Sequence, residues 1–137
     1  MRLSILTPIK EFYKGDITSV TVKTIDGTVQ IRRRHTPYIF TLSESVISIE
    51  TTEGKRYAAV MAGFAEVSDG NVTLLTDAAE WPEEIDEERA KESKERALLF
   101  LREHELKIRE SNEIDKQRAS RAFNRAEVRL KLLLTKK

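Results

Sequence analysis

The chain has 137 residues, 39% hydrophobic and 34% charged, with a formal net charge of +1. That is enough for one ordinary domain, or a small domain with an appendage, carrying a modest core and a heavily charged surface. The absence of cysteine excludes disulfides and thiolate-held metals. No apolar run approaches the ~20 residues of a membrane span, and the near-neutral total gives no bulk field for nucleic acid or anionic lipid.

In chain order, Arg2 to Thr7 reads as a strand closed by Pro8. Its start lacks the apolar core and cleavage site of a signal peptide, so a place on the cytoplasmic side is expected. Ile17 to Ile25 is β-branched, and Asp26-Gly27 ends it with a turn dipeptide. Thr28 to Ile31, Tyr38 to Leu42, Val46 to Glu50 and Lys55 to Met61 are further strands. Phe64 to Val67 and Asn71 to Thr76 pair across Ser68-Asp69-Gly70. Short strands at such spacing predict an antiparallel β-sandwich over residues 1–82.

Trp81-Pro82 closes that pattern, and Trp81 is expected to pack the following arm onto the sandwich. Residues 83–137 read as an antiparallel two-helix hairpin. Glu83, Glu84, Asp86, Glu87 and Glu88 crowd the start of helix one, where carboxylates complement the helix dipole. Helix one is expected from about Glu84 to about Ile108. Helix two follows the polar Ser111-Asn112-Glu113 break and runs to about Leu134. Ala119, Ala122, Ala126, Leu130 and Leu133 form one stripe of helix two. Ala90, Ala97, Leu101 and Ile108 form one on helix one. Residues 83–95 hold seven acidic and three basic groups, and residues 116–137 hold one and eight. The two rods are therefore expected to attract. An alanine seam buries little area, so the hairpin is read as one that closes and can open.

Arg118, Arg121, Arg125 and Arg129 share a face of helix two, and Arg89 and Arg96 share a face of helix one. A closed hairpin would bring Arg89, Arg96, Arg125 and Arg129 together beside Asp86. Forked guanidinium donors suit phosphate, so the reading is a nucleotide-phosphate pocket without a glycine-rich loop. A solvated charged face is the alternative. Arg32-Arg33-Arg34-His35 is either an exposed loop or an electrostatic contact for an acidic partner or nucleic acid. Tyr38 and Phe40 beside it are assigned to the core by their alternation. The two histidines, His35 and His104, lie far apart in sequence, so no metal site is expected. No nucleophile elbow, Walker or Rossmann glycine pattern is present. The chain reads as a non-enzyme.

The order of these features resembles one family. Ile85-Asp86-x-x-Arg89-Ala90 follows a β domain and opens a helical hairpin. Met61-Ala62-Gly63-Phe64-Ala65-Glu66-Val67 and Asn71 to Leu75 resemble a G-G-F-x-E-V turn and the strand after it. Gly27 and His35-Thr36-Pro37 resemble the ends of a G-E-L-G-x-x-P-G-H-x-P loop. Together they resemble the epsilon subunit of bacterial F-type ATP synthases over nearly the whole chain. The resemblance implies a central-stalk subunit with its sandwich on the gamma subunit and the membrane c-ring. The hairpin would permit turnover when folded and inhibit ATP hydrolysis when extended among the alpha and beta catalytic subunits. It also implies ATP as a regulatory ligand, with no required cofactor, at Glu80, Ile85, Asp86, Arg89, Ala90, Arg96, Arg125 and Arg129. A rotor contact is implied at Thr28, Gln30, Arg32, Arg33, Arg34 and His35, and a peripheral place at the membrane through the complex. Nucleic acid is not an expected partner. The chain departs from the family pattern in three ways. Thr28, Val29, Gln30 and the arginine run replace the loop's glycines and its acidic residue, Ala62 replaces a glycine, and the hairpin turn is longer. The alternatives kept open are a purely structural coupling subunit and an adaptor for acidic proteins or nucleic acid.

Overall fold

The structure is a computed structural model and describes residues 1–105 and 113–135. The described residues form ten strands: β1 (Arg2–Leu6), β2 (Glu11–Asp16), β3 (Ser19–Thr24), β4 (Gly27–Arg32), β5 (Tyr38–Leu42), β6 (Ser45–Thr51), β7 (Gly54–Val60), β8 (Gly63–Ser68), β9 (Asn71–Thr76) and β10 (Ala79–Glu80). A 3-10 turn at Pro82–Glu84 leads into α1 (Glu87–Glu105), and α2 spans Glu113–Thr135. No helix among the described residues is long and apolar enough to cross a membrane.

The strands belong to one continuous sheet that turns over on itself at β3. One arm runs β4-β3-β6-β7-β10 and the other β5-β8-β9-β1-β2. They join where Thr24 of β3 pairs with Leu42 of β5. Val20, Val22, Ile31, Ile47, Ile49 and Val60 of the first arm meet Leu3, Ile5, Ala65, Val67, Val72 and Leu74 of the second in one buried cluster. Each strand feeds alternate residues inward, so two half-buried arms make a sandwich. The pairing is antiparallel apart from β1 with β9. Those two strands are far apart in sequence, and the long connection a parallel pair needs is available.

Two strands escaped the sequence reading. β2 carries Lys14, Gly15 and two carboxylates among only two aromatics, so its composition is not β-like, yet Phe12 buries and the strand pairs along β1. β10 is two residues long and gains its bonds from Ala59 and Val60 of β7. The β8–β9 turn follows its dipeptide. Asp69 (φ 47°) and Gly70 (φ 77°) both take left-handed backbone, the form that matches the twist of a two-residue hairpin. Gly63 is needed for another reason: a Cβ there would sit 1.9 Å from the Leu75 carbonyl oxygen.

Helix one starts later than the expected Glu84. Pro82 opens a 3-10 turn, in which the Glu84 and Ile85 amides donate to Trp81 and Pro82 carbonyls, and Ile85 then becomes extended. Asp86 is the N-cap: its Oδ1 accepts the Arg89 amide at 3.1 Å. The expected end of helix one at Ile108, the Ser111-Asn112 break and the long hairpin turn lie outside the described residues.

The helices pack on Ala90, Ala97 and Ala126, all buried. Ala119 is only half-buried and Ala122 is exposed, so the expected alanine stripe is a seam over part of its length. Val128 and Leu132 of α2, which the stripe omitted, are buried as well. They leave the seam and pack on Ala59, with Val46, Tyr57 and Ile85 around them. The helix thus has a second dry face, toward the sheet. An ion pair that bridges the rods joins Lys94 of α1 to Glu127 of α2 at 3.4 Å, against the expected sense. Glu127 is the one acid in residues 116–137. Both groups are exposed, so this pair adds little.

Candidate functional site

The junction is built on Trp81. Its indole stacks on Phe12 of β2 with ring centroids 4.4 Å apart, and the Arg56 guanidinium covers the ring at 3.7 Å. Tyr13 meets it edge-on. The backbone amide of Trp81 donates to Glu84 Oε1 at 2.9 Å. This clamp holds the chain against the sandwich where strand becomes helix.

Pairing with Ala59 places Glu80 at the sheet edge, beside the strand residue on which Leu132 packs. Arg129 Nε donates to Glu80 Oε1 at 2.6 Å, an ion pair with about a quarter to a third of each side chain exposed. One turn earlier on the same face, Arg125 is half-buried and its Nε is fully buried with no hydrogen-bond partner. A buried guanidinium N–H left unpaired is costly.

The other predicted residues are placed as follows. Ile85 joins the Val128–Leu132 patch. The Asp86 carboxylate caps α1 through the Arg89 amide, and its carbonyl accepts the Ala90 amide at 3.0 Å. Ala90 is buried in the seam. The Arg89 side chain is exposed. Arg96 donates to Ser93 Oγ at 3.4 Å and lines an interhelical groove of about 420 Å³ with Arg118, Ala119 and Phe100. Glu80, Ile85, Arg125 and Arg129 thus gather where α2 meets the sandwich. Arg89 is turned to solvent, and the hydrogen bond of Arg96 goes to Ser93 on its own helix. The Asp86 carboxylate is turned into the helix start. Among the described residues no cluster of three metal-ligating side chains occurs.

On the sandwich, Thr28, Gln30, Arg32, Arg33 and Arg34 are exposed and His35 is half-buried. They lie along β4, which pairs only with β3, and in the loop after it. Tyr38 corrects the core assignment: it is 60% exposed, and Leu42 is the buried residue of β5. Phe40 is half-buried between Tyr38 and His35. A second surface was missed. Phe64 of β8 pairs with Leu75 of β9, and Leu75 with Leu6 of β1, so an apolar row crosses three strands on the outer face. Phe64 is 53% and Leu75 48% exposed. The signal was present as adjacent apolar residues, Phe64-Ala65 and Leu74-Leu75, because only one of each pair can face the core.

Two family descriptions together match residues 1–133 of the chain. ATP synthase, Delta/Epsilon chain, beta-sandwich domain covers residues 1–82, and the long alpha-helix domain of the same chain covers residues 83–133. The ATP synthase epsilon chain of Clostridium kluyveri is 38% identical over 134 residues, 97% of this chain and 96% of its own. That of Halalkalibacterium halodurans is 36% identical over 130 residues, 95% of this chain and 94% of its own. In fold, the chain is similar to one in the Euglena gracilis mitochondrial ATP synthase, in a structure of OSCP, F1 and c-ring. The TM-score there is 0.77 at 24% identity, covering 96% of this chain and 79% of that one. A chain of the Tetrahymena thermophila mitochondrial ATP synthase central stalk and c-ring gives 0.62 at 14% identity, covering 96% and 95%. With both domains matched and relatives of 36–38% identity over nearly their whole length, the chain belongs to the ATP synthase delta/epsilon chains, as an epsilon chain, a non-catalytic stalk subunit.

Proposed function

We propose that this subunit couples the rotor to the catalytic head and reports nucleotide through its hairpin. Its sandwich would grip the gamma subunit through the Phe64–Leu75–Leu6 row and meet the c-ring through Thr28, Gln30, Arg32, Arg33, Arg34 and His35. Its hairpin would restrain ATP hydrolysis when it leaves the sandwich for the alpha and beta subunits, and ATP would favour the docked form. The subunit would sit peripherally on the cytoplasmic side of the membrane through the complex. The observation that carries the nucleotide part is the unpaired, buried Arg125 Nε. It lies one helical turn from the Arg129–Glu80 pair that ties α2 to the sheet. A phosphate oxygen there would satisfy Arg125 only while the hairpin is docked. That gives ATP the differential affinity a population shift requires.

Titration of the intact protein with ATP, followed by Trp81 fluorescence and by calorimetry, tests this. Micromolar to millimolar affinity is expected, on the order of −8 to −4 kcal/mol, with Arg125→Ala weakening it. Absence of ATP-dependent heat would remove the nucleotide part. One observation favours a second reading, a purely structural coupling subunit. Arg129 is already satisfied by Glu80 at 2.6 Å with the hairpin docked and no ligand bound. On that reading Arg125→Ala leaves the hydrolysis rate of the assembled enzyme unchanged with or without ATP.

A further inference from the structure

We infer that the β4–β5 loop is a docking site for a carboxylate-bearing segment of a partner polypeptide. The inference rests on the reading of the sandwich as the rotor-facing domain, which sets this loop against another subunit. It adds the sign of the charge that faces it.

Arg32, Arg33 and Arg34 are consecutive and exposed. Arg32 Nε is held by the neutral Gln30 Oε1 at 3.1 Å, and among the described residues neither Arg33 nor Arg34 has an ion-pair partner. The tip is bent in a way that an arginine makes costly. Arg34 has φ 72°, left-handed backbone set by the turn that the His35 amide closes on the Arg32 carbonyl, and an arginine rather than a glycine stands there. The base of the loop is braced. The His35 amide donates to the Arg32 carbonyl at 3.0 Å, the His35 ring meets Phe40 edge-on, and Phe40 leans on Tyr38. His35 Nδ1 lies 2.7 Å from the Thr36 carbonyl oxygen and donates to it. A braced loop loses little backbone freedom on binding. Beside them, Tyr38 and Ile39 are 60% and 63% exposed, the aromatic, apolar and arginine mixture of a protein interface.

Chemistry narrows the occupant. Lipid-surface recognition rests on clusters of about four to eight basic residues, and this loop offers three. Exposed Glu66 pairs across the strands with Ile39, next to the loop, and would repel an anionic bilayer or a nucleic-acid backbone. A single acidic segment avoids Glu66 and takes forked hydrogen bonds from Arg33 and Arg34.

The test uses the assembled ATP synthase that contains this chain. The chain lacks cysteine, so Arg34→Cys carrying benzophenone maleimide reports its neighbour by cross-linking and mass spectrometry. An adduct on a partner segment bearing Asp or Glu is expected. An adduct on lipid, on a segment without carboxylates, or on no partner at all overturns the inference. Arg33→Glu with Arg34→Glu should weaken retention of the subunit about tenfold or more in a salt-wash series, with thermal stability of the isolated chain unchanged. Arg34→Gly should raise that stability while weakening retention, which separates docking from folding. If the unaltered subunit is not retained at all, the rotor reading falls as well. If it is retained and the charge-reversed form is retained equally, only the acidic-partner inference falls.

Discussion

Asp86 has a structural role that an alanine substitution would confuse with the proposed one. Its carboxylate caps α1 through the Arg89 amide, and under the proposed function it would also serve a nucleotide. Asp86→Ala is expected to cost ~1 kcal/mol of helix stability through the lost cap alone. Asn is as good an N-cap, so Asp86→Asn should restore α1 by circular dichroism. If ATP affinity recovers with it, the carboxylate charge plays no part in binding; if affinity stays low, the charge itself is read. At Gly63 the constraint is steric. The Leu75 carbonyl oxygen stands where a Cβ would be, and backbone on the neighbouring strand cannot swing aside as a side chain can. Gly63→Ala should lower stability in urea by about 2 kcal/mol or more, by strain of the kind overpacking produces. Neither role is visible in composition. Gly63 reads from sequence only as an interruption, and the closeness of β8 to β9 makes it obligatory.

Among the elements, α2 is the one on whose attachment the proposed function turns. It touches the sandwich through Val128 and Leu132 and through the Arg129–Glu80 pair. Burying a leucine fully is worth roughly 1.5–3 kcal/mol, so Leu132 carries much of a modest total. Leu132→Ala should undock the hairpin while leaving the sandwich intact, because the main buried cluster contains no helix residue. Hydrogen exchange would show it: faster exchange throughout α2, with β3, β6 and β9 unchanged. If exchange rises equally in those strands, the hairpin is part of the folding core rather than a docked arm. The 3.6-residue period and the acidic first turn of helix one made the two helices legible in the sequence. The period could not say that α2 has two dry faces, one toward α1 and one toward Ala59, because both spacings are helical.

For the whole molecule, strength lies in the sandwich and adjustability in the arm. The cluster that unites the two sheet arms ends at Ala79, with Trp81 packed against it from the junction. A chain cut after Glu84 keeps that cluster and most of the Trp81 clamp. It should unfold in one cooperative transition with a midpoint within several degrees of the full chain. Built into the enzyme, the cut chain should raise ATP hydrolysis if the arm restrains it. Equal hydrolysis by cut and full enzymes would leave the subunit a coupling part only.

By itself, the sequence determined the kind of object this is. Alternating strands punctuated by Asp-Gly turns, one tryptophan-proline junction and a capped, charged hairpin are local patterns. Local sterics and hydrogen bonding specify them without reference to distant residues. Only the tertiary structure decided which of those residues meet. Glu80 finds Arg129 because β10 pairs with β7, about 20 residues back, and Leu132 settles on Ala59, 73 residues away. The tip at Arg34 is bare because no other part of the described chain folds over it. Long-range burial competes for each side chain's faces, and one-dimensional spacing holds no record of the outcome.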